Sequence, residues 1–106
     1  MRILFDQGTP VPLRRFLIGH QVSTAYEQGW SSVSNGDLIR LAESESFERL
    51  ITTDMNLRYQ QNLSERIIAI MVLTTTSWPR IRNATALITT ATDSMQPGNY
   101  REIPIP

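Results

Sequence analysis

The segment IIAIMVL, Ile67 to Leu73, limits most strongly what this chain can fold into. Seven successive apolar residues are far short of the roughly 20 needed to span a membrane. They have none of the polar alternation of a strand with one wet face. Near-continuous apolar character suits a strand covered on both sides, as in a parallel sheet between helical layers.

The flanking pattern fits that reading. Arg2–Phe5 is a short apolar run and a buried-strand candidate. Thr9–Ile18 reads as a helix, with Thr9 as N-cap, Pro10 at the first helical position and Leu13, Phe16 and Leu17 on one face. Gly19 ends it. Val22–Ala25 is a second strand and Tyr26–Val33 a loop. Ser34 is a candidate N-cap for a helix carrying Leu38, Leu41 and Ala42, with Ile39 at the stripe's edge. Leu50–Thr53 is a third strand, and Met55–Ser64 a short helix with a turn. After Ile67–Leu73, the segment TTTSWP leads into a helix with Ile81, Ala84, Leu87, Ile88 and Ala91 on one side. QPGN is a turn. The tail, 96–106, either adds an edge strand or stays extended, since its prolines bar a central position. The order βαβαβαβα predicts an α/β fold, a three-layer α/β/α sandwich with a small, mainly parallel sheet. Right-handed crossovers put the C-terminal ends of its strands on one edge.

At 106 residues the chain is expected to form a single domain, 1–106. The sequence is 41% hydrophobic and 19% charged, enough for a core and too few charges for disorder. It has no cysteine, which excludes disulfides and thiolate metal sites and agrees with a cytoplasmic location. No signal peptide is visible at MRILFDQG. Ten arginines balance ten acids, and lysine is absent. That removes P-loop chemistry and Schiff-base chemistry, both of which need lysine. With a single histidine, His20, the catalytic groups on offer are carboxylates, hydroxyls and arginines. His20, in the turn before the second strand, is expected at the opposite edge in a structural role.

Two strands that read as buried end in carboxylates. Asp6 follows the first and Asp54 the third, so both are expected at the edge where open α/β sheets bind ligands. Asp37, in the first turn of the second helix, points to the same edge. Gln7 and Asn56 lie beside Asp6 and Asp54. An oxygen-only set suits a hard cation, Mg²⁺ or Mn²⁺. Each acid also has a local reading: turn chemistry for Asp6, a capping box with Ser34 for Asp37, a helix cap for Asp54. Arg14, Arg15, Arg58, Arg80 and Arg82 follow strand C-termini and are expected to ring that edge. Arg14, Arg58, Arg80 and Arg82 are candidate phosphate contacts. Arg2, Arg49 and Arg66 precede strands and belong at the other edge. Tyr26, Trp30 and Tyr59 either stack on bases or pack over the loop. Glu43 and Glu45 are expected in solvent on the second helix.

The segments RILFDQGTPVPLRRFL, GHQVSTAYEQGWSSVSNGDLIRLA and LITTDMNL together resemble the small PIN-like proteins of the DUF5615 type. The likeness runs from about Arg2 to Leu73. It implies a PIN-like α/β/α sandwich and a metal-dependent nuclease that cuts RNA, in many bacterial cases as the toxin of a toxin–antitoxin pair. Asp6, Asp37 and Asp54 match the family's acids. The fourth, often acidic position falls on Asn56, and Gln7 stands where many relatives carry Glu. Both changes remove negative charge and favour one Mg²⁺ over two ions spaced about 3.5–4 Å apart. The resemblance implies that Asp6 and Asp54 hold the ion, with Asp37 acting directly or through water. The rival expectation is a catalytically degenerate PIN-like module that binds protein or RNA, which Gln7 and Asn56 favour. A receiver-like phospho-acceptor domain is excluded by the missing lysine. RNA, a small antitoxin and a second copy of the chain are the expected partners.

Overall fold

The computed structural model describes residues 1–57 and 66–106. Strands β1 (Arg2–Phe5), β2 (Gln21–Thr24), β3 (Arg49–Thr52), β4 (Ala69–Leu73) and β5 (Tyr100–Ile103) form its sheet. The sheet has five strands, all parallel, in the order β2-β1-β3-β4-β5. A 3-10 helix (Val11–Phe16), α1 (Asn35–Ser44), α2 (Trp78–Arg82) and α3 (Thr85–Ser94) cover it.

Alternation along the strands divides the core in two. Ile3, Phe5, Ile51, Ala69, Met71 and Leu73 pack with Leu13 and Leu17 of the first connection and Ile81, Ile88 and Ala91 of α2 and α3. Leu4, Leu50, Ile70 and Val72 face the other way, onto Leu38, Ile39 and Ala42 of α1. β4 is buried at every position, which is why its sequence is apolar without a break. The fold is therefore α/β, with a parallel sheet between helical layers. Among the described residues no helix is long and apolar enough to cross a membrane.

Several local expectations change. The first connection is a 3-10 helix and not an α-helix. Pro10 and Pro12 remove two early N–H donors, and the bonds that form run i to i+3, from Leu13 N to Pro10 O (3.1 Å) and Leu17 N to Arg14 O (3.2 Å). Thr9 does not cap it; its Oγ1 donates to the Ile51 carbonyl at 2.9 Å. Gly19 closes the segment at φ +86°, where a side chain is strained. Ser34 does cap α1, accepting the Asp37 N–H at 3.4 Å. The buried stripe of α1 is Leu38, Ile39 and Ala42, with Leu41 only half-buried. Ser77 caps α2, as the sequence suggests. The last helix is broken at Asn83 and Ala84, and the break rotates Leu87 outward to 45% exposure. Ile67 is 74% exposed and stands before β4, which begins at Ala69.

The tail joins the sheet as edge strand β5. Ile103 and Ile105 are buried, and Thr74 Oγ1 accepts the Ile105 N–H at 2.8 Å. At the N-terminal edge of the strands, Arg49 is buried and satisfies helix-end carbonyls of α3. It donates to Thr92 O (3.2 Å) and Met95 O (2.6 Å), and to Glu48 O (3.0 Å). This is the favoured placement for a cation at a helix C-terminus. Glu43 is not a free surface acid either. Its carboxylate accepts the N–H groups of Ile67 (2.6 Å) and Ile68 (3.1 Å) and pairs with Arg66 at 3.3 Å. His20 is at this same edge, as expected, hydrogen-bonded to the Met1 amine and to Asp93.

Candidate active site

The strand order places a topological switch point between β1 and β3. The chain leaves β1 by the 3-10 helix on one face of the sheet and reaches β3 by α1 on the other. Open α/β sheets bind ligands in the crevice this divergence leaves at the strand C-termini. Asp6 is the residue after β1, and Asp54 stands two residues after β3.

Thr52, fully buried at the end of β3, ties the two acids together. Its Oγ1 donates to Asp6 Oδ2 at 2.6 Å and accepts the Asp54 N–H at 3.1 Å. Asp6 Oδ1 accepts the Gln7 N–H at 2.6 Å. Asp54 Oδ1 accepts the Asn56 N–H at 3.0 Å, an Asx-type turn. Its Oδ2 accepts Asn35 Nδ2 at 2.7 Å. Among the described residues each carboxylate oxygen thus accepts from one neutral donor, and an ionised carboxylate oxygen has capacity for a second. Among the described residues no cationic side chain pairs with Asp6 or Asp54. The loop after β1 also lies close on β3: a side chain added at Gly8 would meet Thr53 Oγ1 at 2.5 Å.

Asp37 is placed differently. It is half-exposed and ion-paired with Arg40 on the next turn of α1. With Arg40 it lines a separate cavity with Val33, Leu41 and Ser44. Among the described residues no three Asp, Glu, His or Cys side chains gather closely enough to hold one metal ion. The expected cluster is therefore a pair, Asp6 and Asp54, with Asp37 apart. The residue of α1 that reaches the pair is Asn35. Neither Asn35 nor Thr52 is apparent from the sequence as a site residue; the only signal was their position beside Ser34 and Asp54. Gln7 and Asn56 contribute backbone N–H groups, and both side chains are exposed.

The arginines divide as well. Arg14 and Asp6 line one cavity of about 360 Å³ with Thr9, Thr24, Tyr26 and Glu27. Arg14 donates to Glu27 at 2.9 Å and to the Val22 carbonyl at 3.1 Å. The Arg14 guanidinium, then the Thr24 N–H, hold the Glu27 carboxyl below the usual carboxylate range. Arg80 is taken up by the tail, donating to Ile105 O (2.6 Å) and Pro106 O (2.9 Å), so a phosphate would compete with those carbonyls. Arg82 is exposed beside Arg15. Arg58 and Tyr59 lie outside the described residues. Trp30 packs edge-on to Phe47, whereas Tyr26 is 77% exposed and does not pack over its loop.

No family model, curated protein or solved structure matches the chain. The fold and site define a doubly wound α/β domain with an acidic pair at its switch point. The donor set is oxygen-only, anionic and without a cationic counter-charge among the described residues, which fits a hard divalent cation completed by water.

Proposed function

We propose that the chain is a PIN-like, Mg²⁺- or Mn²⁺-dependent ribonuclease that hydrolyses RNA phosphodiesters at the C-terminal edge of its sheet. One observation supports this most: two carboxylates from adjacent strands, with no cation among the described residues to balance them, share a buried threonine at the switch point. Asp6 and Asp54 would hold the ion, and Asp37 would join through water or after its pair with Arg40 opens. A bound divalent cation supplies Lewis-acid polarisation of a phosphate and lowers the pKa of a coordinated water. The chain's own part is positional. Thr52, the Gln7 N–H and Asn35 fix three of the four carboxylate oxygens, and the Asn56 N–H fixes the fourth. Arg14 borders the cavity beside Asp6, where it can receive a phosphate of the bound chain. The toxin role, the antitoxin partner and homodimerisation rest on the family resemblance and on sequence alone.

The second reading is a PIN-like domain that binds RNA or protein without cutting. The absence of a third acid beside Asp6 and Asp54 among the described residues favours it. Mn²⁺ titration by calorimetry separates the two, with Asp6→Asn/Asp54→Asn as the control. Saturable binding lost in the double variant, together with Mn²⁺-dependent RNA cleavage lost in the same variant, supports the nuclease. A folded wild type that neither binds Mn²⁺ at millimolar concentration nor cleaves RNA leaves the binding module.

A further inference from the structure

The 3-10 geometry of the first connection has a consequence for the surface. At three residues per turn, side chains at i and i+3 eclipse, so the helix carries three separate stripes. Leu13 points into the core. Val11 and Arg14 line the cavity that holds Asp6. Pro12 and Arg15 line a different groove, of about 340 Å³, closed by Phe16, Trp78 and Arg82. The two concavities are thus adjacent stripes of one short helix.

The groove's chemistry is distinct. Among the described residues no acidic side chain lines it. Phe16, 39% exposed, and half-buried Trp78 meet at 6.0 Å between ring centroids, tilted by 50°. Arg15 and Arg82 are exposed and have no hydrogen-bond or ionic partner among the described residues. Every other described arginine is engaged: Arg2 on the Phe47 ring, Arg14 with Glu27, Arg40 with Asp37, Arg49 with helix-end carbonyls, Arg66 with Glu43, Arg80 with the tail, Arg101 with Ser94. The two uncommitted guanidiniums therefore flank the same pair of rings.

We infer that this groove binds a single-stranded nucleic-acid segment, one base against Trp78 and Phe16 and its flanking phosphates on Arg15 and Arg82. Aromatic faces take any unstacked base, and guanidiniums take phosphates through paired N–H donors. Double-stranded nucleic acid keeps its bases stacked and offers nothing to the rings. An acidic peptide would use the arginines but leave the rings without a planar partner. The inference deepens the ribonuclease reading, on which it rests for the choice of RNA: the strand would continue around the 3-10 helix to Asp6.

The test is fluorescence anisotropy with a labelled, uncleavable 2′-O-methyl oligouridylate of about six nucleotides, in EDTA. Arg15→Ser/Arg82→Ser should weaken binding about tenfold or more and reduce the log–log salt slope by about 1.4, two contacts at about 0.7 each. Arg101→Ser, removing an arginine elsewhere, should leave binding within about twofold, which marks the effect as local and not bulk charge. In a Trp30→Phe background Trp78 is the sole tryptophan, and its emission should be quenched on binding. Unchanged affinity in the double arginine variant, or unquenched Trp78 emission, overturns the assignment. Equal displacement by polyglutamate also overturns it and assigns the groove to an acidic protein segment. Because this binding assay needs no metal, oligonucleotide binding in EDTA combined with no cleavage of unmodified RNA in Mn²⁺ would sink the nuclease reading and leave the groove standing. Cleavage indifferent to Arg15 and Arg82 would do the reverse.

Discussion

Replacing Thr52 by valine exchanges a hydroxyl for a methyl of nearly the same shape at a fully buried position. On hydrophobic grounds alone the change should stabilise, since a buried methyl contributes roughly 0.8 kcal/mol. The structure requires the opposite. The hydroxyl donates to the Asp6 carboxylate at 2.6 Å, and a hydrogen bond to a charged group is worth about 1.5–3 kcal/mol. It also accepts the Asp54 N–H, which would lose its partner at a further ~1–3 kcal/mol if water cannot reach it. Set against the methyl, the net loss is about 2–5 kcal/mol. For a chain of 106 residues this corresponds to a fall in Tm of roughly 10–20 °C. Urea unfolding of wild type, Thr52→Val and Thr52→Ser measures it. Serine keeps the hydroxyl and loses only a methyl, so it should cost about 1 kcal/mol and be the more stable variant. A valine variant as stable as the serine variant would refute the bridge between Asp6 and Asp54. The same variant should weaken Mn²⁺ binding, because Asp6 loses the donor that orients it.

Two further predictions rest on groups away from the acidic pair. Arg49→Met keeps most of the buried volume but orphans the carbonyls of Thr92 and Met95; we expect a loss of about 2–4 kcal/mol in denaturant unfolding, with Arg49→Lys recovering only part because it lacks the planar fork. Glu27 has a folded-state pKa below its unfolded value, so its pair with Arg14 adds stability above about pH 4.5 and loses it as pH falls through the lower folded pKa. Both side chains are about a third exposed or more, so the effect is screened; Glu27→Gln should flatten the acid limb of the stability–pH profile by no more than about 1 kcal/mol and leave pH 7 to 8 stability differences unchanged in slope.

How far the sequence could be read depended on the range of the interaction that decides each feature. The apolar segment before Thr74, the serine caps at Ser34 and Ser77 and the glycine turn at Gly19 are set within a few residues, and each is legible locally. The α/β class followed from the alternation of such segments. The placement of Asp6 and Asp54 at strand ends was legible too, since it needs only strand boundaries and a parallel sheet.

Other features depend on partners distant in the chain. The strand order that puts the switch point between β1 and β3 comes from pairings across tens of residues, which no local period encodes. Thr9, read as a helix cap, bonds instead to Ile51, 42 residues away. Glu43, read as solvated, receives N–H groups of Ile67 and Ile68, and Arg80 is taken by the carbonyls of the tail. Asp37 shared the right edge by sequence, but its nearest cation is one turn along its own helix, and Asn35 reaches Asp54 in its place. The sequence by itself determined which segments become strands and where their carboxylates fall. Only the tertiary structure decided which polar groups meet, because an unpaired charge or amide takes whichever partner the packing brings within about 3 Å.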